Sequence, residues 1–452
     1  EGFSEKTDAQ QAMAFSQNSG LQLGFAVGAS VALCAIWSWK RRRRADPFGF
    51  DTPVDRSGLH TIKHEFPVRM YGTPAVGALN LWVADMELPC CEKIRKALAR
   101  RAAETTFGYT LQPDAIWKSA GKWLVKKQGW DSPPPPEHFA FSASVVTSAA
   151  NILRATTQPG DEILAMVPFY APMQTMVSAC GRTLIRYHLQ QNKTGQYDMD
   201  VKGSLTALLD YQNIKMLILC NPHNPIGRVW KREDLVALAQ ACAKRNIVVI
   251  SDEIWADWCF DTFVPFQPIA LENNCKCFVL GAPTKTWSMA GLHASYVICA
   301  NDDLRRAYLA YTEPSFLTFG SVFATEMMLV AYDVGGEWFQ AAKAYVKARA
   351  VFEANLVFLE NFLMAHVPGV FLVPHQATYL AWLDCSGLGF DSGADLNKFI
   401  LHEARLVLSP GSEFDPEKSW HFQRINIACS RQLLEQAVGR LRAAVAKRKK
   451  GI

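Results

Sequence analysis

From about Phe139 onward the chain alternates short β-branched, apolar runs with stretches of helical periodicity, and this alternation restricts the fold more than any other feature. The apolar runs are Glu162 to Val167, Leu184 to Leu189, Lys215 to Cys220, Ile247 to Asp252, Cys277 to Gly281 and Ala294 to Ala300, with helical stretches such as Glu233 to Lys244 between them. Strands separated by helices return in the same direction, so the expectation is an α/β fold on a mostly parallel, doubly wound sheet. A long proline-free helix is expected over Gly336 to Met364, leading into a smaller α+β C-terminal domain. That domain would hold a strand near Ala377 to Asp384 and a terminal helix whose Leu434, Val438, Leu441 and Val445 recur at helical spacing. Pro133 to Pro136 reads as a surface spacer, and no repeat of solenoid period is visible.

A length of 452 residues suffices for two lobes sharing a large core, and 49% hydrophobic with 20% charged residues is the make-up of a folded enzyme, unlike a disordered chain. The net charge of +5 comes from two short clusters, Lys40 to Arg44 and Lys447 to Lys450, without which the remainder carries −4. A nucleic-acid groove needs basic residues spread over the folded body and interleaved with aromatics, so nucleic acid is not expected as a partner. The 12 cysteines lack paired C-x-x-C spacing, and Cys90-Cys91 and Cys275-Lys276-Cys277 are poor metal geometries. They read as reduced, mostly buried thiols of a cytosol-like compartment, with no metal centre and no disulfide scaffold.

The N-terminal tail has a different character. Leu21 to Trp39 is a nearly uncharged run of 19 residues. As a helix it would reach about 28 Å, close to the ~30 Å of a bilayer core. Lys40 to Arg44 follows as a basic stop, whereas Glu1, Glu5 and Asp8 outnumber Lys6 ahead of the run, where a cleaved signal would carry its basic region. The expectation is a single membrane anchor with the catalytic body on the cytoplasmic side. Gln22, Ser30, Ser38 and several glycines weaken the run, so an organelle-targeting segment is the competing expectation, and the opening Glu1 leaves residues upstream an open matter. The expected division is a tail over 1–45, an N-terminal arm with part of the small domain over 46–90, a large domain over 91–330 and a C-terminal small domain over 331–452.

Three polar residues fall where expected strands end: Asn224 after Lys215 to Cys220, Asp252 closing Ile247 to Asp252, and Lys285 after Cys277 to Gly281. Ligands of open α/β sheets sit outside the carboxyl ends of the strands, so three separate segments aim at one crevice. A lone Asp or Lys there is ordinarily a helix cap or solvated surface; three together are harder to account for in that way. Lys285 lies in the small, mostly apolar stretch Ala282-Pro283-Thr284-Lys285-Thr286-Trp287, where desolvation lowers an amine's pKa and prepares it for covalent chemistry with a carbonyl.

These segments resemble a known family. Asn221-Pro222-His223-Asn224-Pro225-Ile226-Gly227, Ser251-Asp252-Glu253-Ile254 and Ala282-Pro283-Thr284-Lys285 resemble, in order and spacing, the motifs of fold-type-I pyridoxal 5′-phosphate (PLP) enzymes, the aminotransferase class I/II superfamily. Trp82-Val83-Ala84-Asp85-Met86, Phe107-Gly108-Tyr109 and Thr378 to Asp384 narrow the resemblance to the MalY/PatB-type cystathionine β-lyases, over about Phe48 to Ala444. The resemblance implies that Lys285 holds the cofactor and then moves the Cα proton, that Asp252 keeps the pyridine nitrogen protonated, that Asn224 bonds the ring's phenolic oxygen, and that Tyr170 stacks on the ring. Ser144, Val145 and Val146, ahead of the helix-like Thr147 to Thr156, would offer the phosphate free N–H groups, with Thr284 adding a hydroxyl. Tyr109 stands where this family reaches the phosphate of the partner subunit, which implies a homodimer with a shared site. Arg424, in Gln423-Arg424-Ile425-Asn426, matches the clamp on the substrate α-carboxylate, a task suited to a guanidinium fork.

Two positions depart from the pattern. Trp255 stands where such lyases often have His and many aminotransferases Tyr; its indole N–H could donate toward the phenolic oxygen but could not shuttle a proton. His293 stands eight residues after Lys285, where many aminotransferases place a phosphate-binding arginine. The reading that results is PLP-dependent β-elimination on cystathionine or a related S-substituted cysteine, releasing a thiol, pyruvate and ammonia. An aminotransferase is the alternative, since both reactions begin with loss of the Cα proton. A membrane-anchored PLP-binding regulatory or scaffold protein is the second alternative, although a scaffold has no use for a carboxylate clamp.

Overall fold

The computed structural model describes residue 50 and residues 53–333 and 351–450. Its centre is a seven-stranded sheet made of β1 (Phe139–Ser142), β2 (Glu162–Val167), β3 (Thr183–His188), β4 (Ile214–Cys220), β5 (Val248–Asp252), β6 (Cys277–Gly281) and β7 (Ser295–Ile298). The spatial order is β1-β7-β6-β5-β4-β2-β3, and every neighbouring pair is parallel except those of β7, which runs antiparallel to both β6 and β1. The expected strands are all present, shifted by a residue or a few at some ends; β1 was not anticipated as a separate strand.

Alternation of side chains along the strands explains why both faces must be covered. Leu164, Met166, Leu217, Leu219 and Val249 enter one core with Leu235, Leu238 and Cys242 of the helix Arg232–Lys244. Ile163, Ala165, Met216, Ile218 and Ile250 enter a second core with Ala149, Ile152 and Leu153 of the helix Val145–Thr156. A one-residue slip of β4 would exchange the two sets of contacts, so the register is tightly specified.

A second, antiparallel sheet follows in the order Phe371–Leu372, Leu380–Asp384, Phe422–Asn426, Ser409–Pro410. The helices Val351–His366, Gly393–His402 and Arg431–Lys449 belong to the same part of the chain. The last buries Leu434, Val438, Leu441 and Val445 at the expected spacing, and Ser430 caps it by accepting from the Leu433 N–H. Trp382 and Phe422 of this sheet join the first core of the large sheet, so the two sheets share packing.

The long helix expected over Gly336 to Met364 is helical over Val351–His366; its first half lies outside the described residues. So does the anchor expected at 21–39, and no helix among the described residues is long and apolar enough to cross a membrane. The described cysteines form no disulfide.

Candidate active site

The carboxyl ends of β4, β5 and β6 meet at a cavity of about 230 Å³. That is several times the ~30 Å³ share of one liquid water, so it admits a small molecule. The register places Cys220, the last residue of β4, beside Asp252, the last of β5, and Asp252 beside Leu280 of β6. The chain leaving β6 then delivers Lys285. Ser144, Val145, Val146, Tyr170, Asn224, Asp252, Trp255, Thr284 and Lys285, all expected from the sequence, line this one cavity.

Lys285 donates from Nζ to the Ala84 carbonyl at 2.8 Å. Burial pulls its amine down to about 8, against the opposing attraction of the Asp85 carboxylate. Burial pushes the Asp252 carboxyl up to about 6, while the Ile254 N–H on its Oδ1 and the charge of Lys285 pull the other way. Among the described residues no donor meets the second oxygen of Asp252, which leaves this carboxylate on the cavity wall ready for a cationic or N–H group. Tyr170 ends the approach to the helix Ala171–Ala179, and burial raises its phenol. Trp255 is buried and meets the Tyr379 ring edge-on with centroids 4.9 Å apart.

The helix expected to start at Thr147 starts two residues earlier, at Val145, because Ser144 is its cap: Ser144 Oγ accepts from the Thr147 N–H at 3.1 Å. The N–H groups of Val145 and Val146 are thus the first-turn donors without a helical acceptor, at the mouth of an aligned dipole and on the cavity wall. An anion fits there.

Arg424 does not line the cavity itself. It stands behind Asn224, donating from Nη1 to Asn224 Oδ1 at 3.0 Å, while Nη2 donates to the Trp82 carbonyl at 3.0 Å and to Ser409 Oγ at 3.2 Å. Its Nε is buried without a partner. A buried guanidinium with an orphaned donor and, among the described residues, no carboxylate hydrogen-bonded to it fits an external acid. Since Asn224 accepts through Oδ1, its amide nitrogen remains available to the cavity. Tyr109 is fully exposed and absent from the cavity wall of its own chain.

Sequence reasoning missed the residues that support this centre. Ser409 lies opposite Arg424 in the antiparallel register, and Asn426 shares a strand face with it. The spacing of Arg424 and Asn426, two polar residues on one face of the strand Phe422–Asn426, was a readable signal; Ser409 had none.

The residues present therefore fit PLP: an amine, a carboxylate for the ring nitrogen, an aromatic ring and a helix N-terminus for the phosphate. Comparison with known proteins agrees. Cystathionine beta-lyase PatB of Bacillus subtilis is 33% identical over 88% of this chain and 99% of its own. Protein MalY of Escherichia coli is 28% identical over the same shares. Cystalysin of Treponema denticola, whose crystal structure contains a pyridoxal 5′-phosphate cofactor, superposes with a TM-score of 0.82 at 26% identity, over 88% of this chain and 99% of that one. With the family model for aminotransferase class I and II matching residues 78–441, the chain belongs to that family of PLP-dependent enzymes.

Proposed function

We propose that this enzyme is a carbon–sulfur β-lyase that splits cystathionine or a related S-substituted cysteine, with water, into a thiol, pyruvate and ammonia; for cystathionine the thiol is homocysteine. The observation that carries the reading is the convergence of Lys285, Asp252 and Asn224 on one cavity with Arg424 behind it. The likeness to PatB and MalY supports the choice of lyase.

Bound PLP supplies an electron-withdrawing ring that acidifies the substrate Cα–H. The side chains divide the remaining work. Arg424 turns its fork from Asn224 and Trp82 to the substrate carboxylate and fixes which face of Cα meets Lys285. Lys285, with its amine held near 8, takes the Cα proton at neutral pH, where an ordinary lysine would be almost wholly charged. With PLP bound, Asp252 would hold a proton on the ring nitrogen, Asn224 and the Trp255 indole N–H would donate toward the phenolic oxygen, and Tyr170 would stack on the ring. Ser144, Val145, Val146 and Thr284 would hold the phosphate. The division into an arm over 46–90, a PLP-binding domain over 91–330 and a small domain over 331–452 belongs to the same reading.

Elimination needs no amino acceptor, and this separates it from transamination. Among the described residues the cavity wall offers His293 and no arginine at the place where many aminotransferases bind phosphate, and in the sequence no second arginine falls in a recognised motif for a distal carboxylate. Purified enzyme given cystathionine is expected to form pyruvate and homocysteine in equal amounts without any 2-oxo acid. Product that forms only when 2-oxoglutarate or pyruvate is added would make it an aminotransferase.

The lowered amine also sets a pH dependence. Only the neutral form of Lys285 attacks a carbonyl, so PLP capture by the cofactor-free protein should accelerate as pH rises through about 8 and level off above it. Stopped-flow absorbance is the measurement. A rate still climbing at pH 10, as an unperturbed lysine would give, contradicts the assignment.

Tyr109, exposed in the single chain, is read as reaching the phosphate of a second copy. Mixing inactive Lys285→Ala and Tyr109→Ala chains should then restore about a quarter of wild-type activity, since half the dimers of a random mix carry one intact site. No recovery after subunit exchange counts against the shared site.

A further inference from the structure

Residues 82–85 carry no regular strand or helix, yet four consecutive carbonyls in them accept from side chains. Trp82 accepts from Arg424 and from Ser409 Oγ at 3.0 Å, Val83 from Asn426 Nδ2 at 2.7 Å, Ala84 from Lys285, and Asp85 from Asn426 Nδ2 at 2.9 Å and Lys63 Nζ at 2.8 Å. This strap is the wall against which both cationic residues of the proposed mechanism rest. Lys285 and Arg424 cannot be what holds it in place, because each must turn from it when cofactor and substrate arrive.

Lys63 is a different kind of donor. It is 1% exposed, on the helix Ile62–Tyr71, whose larger apolar residues Ile62, Phe66 and Met70 face outward while Lys63 and Pro67 face inward. A buried ammonium on an otherwise inverted helix is costly unless its charge and its protons are satisfied. Its Nζ lies 2.7 Å from Glu87 Oε1, which also meets His64 Nε2 at 3.2 Å and Arg56 Nη1 at 3.6 Å, and Arg56 in turn pairs with Asp85 Oδ2 at 2.7 Å. Burial alone would raise the Glu87 carboxyl; His64, Lys63 and Arg56 overcome it and hold it at about 2. The strap is thus fastened at its far end by an ion cluster whose members do not line the cavity, and of them only the Asp85 carboxylate acts on Lys285, through its charge.

We propose that Lys63 is a positioning residue that, through the Asp85 carbonyl and the Glu87 carboxylate, fixes the strap in the register at which Ala84 and Trp82 meet Lys285 and Arg424. The inference rests on the lyase reading only where activity is the readout. In the cofactor-free protein, Lys63→Met should speed amide hydrogen exchange across 82–87 by roughly tenfold or more while leaving 248–252 unchanged. In the loaded enzyme it should lower kcat for pyruvate formation by about 10- to 100-fold with a smaller change in KM, the usual scale for a misplaced supporting contact. Lys63→Arg, which keeps the charge and donors, should retain most of the exchange protection. Unchanged exchange in 82–87 overturns the proposal, and so does a rise that spreads to 248–252, since Lys63 would then stabilise the whole fold. Should Lys63→Met fail to fold, Glu87→Gln, which removes the charge and keeps an acceptor, is read by the same exchange criterion: local loosening supports the strap and none overturns it. If wild type makes no pyruvate the lyase reading fails, while the exchange comparison still decides the strap.

Discussion

Lys285→Ala is expected to reduce pyruvate formation from cystathionine by at least about 10³-fold in kcat, because one side chain both attaches the cofactor and moves the Cα proton. Among the described residues it is the one lysine on the cavity wall, and none of them is placed to substitute. Borohydride treatment of wild type should fix PLP to the peptide containing residues 282–287, and the same treatment of the variant should fix none. An added small primary amine should restore part of the proton transfer, more so as pH rises and more of the amine is neutral. Cofactor fixed to another lysine in the variant, or a rate within tenfold of wild type, would overturn the assignment.

Arg424→Ala carries the second large effect. Loss of the fork removes the substrate carboxylate's partner and the donor to Asn224 Oδ1 and Ser409 Oγ, while the Trp82 carbonyl keeps only its bond from Ser409 Oγ. Truncating one partner of a buried charged pair costs about 2–5 kcal/mol, here a fall of roughly 30- to 4,000-fold in kcat/KM. Cofactor absorbance should survive, since Arg424 stands outside the cavity wall that would hold PLP. Arg424→Lys should recover little, because one ammonium cannot reproduce two parallel donors. A loss of bound cofactor comparable to the loss of kcat/KM would instead place Arg424 among the groups that hold PLP.

What could be read in the sequence follows from how local each signal was. Asn224, Asp252 and Lys285 were legible because parallel strands with periodic apolar residues announce their own ends, and the ends are where ligands lie. β1 escaped because it has only four residues, all buried, with no alternation to mark it. The strap was seen as a motif, but not as a structural part: its partners, Arg424 and Asn426, lie more than 340 residues away. Nor could the sequence reveal that Lys63 is buried, since a lysine between Ile62 and His64 reads as a solvated charge.

The great sequence separation between the strap and the strand that holds it bears on the order in which the protein can come into being. Contacts across such distances require a long loop to be closed before any interaction offsets the lost entropy. A chain growing from its N-terminus completes the sheet bearing Asn224, Asp252 and Lys285 by Ile298, well before Ser409, Arg424 and Asn426 exist. Through that interval residues 82–85 have Lys63 and Lys285 as donors and still lack those of Ser409, Arg424 and Asn426. The part of the site that grips a cofactor is therefore in a position to form first, and discrimination among substrates is acquired last, when the final strand arrives.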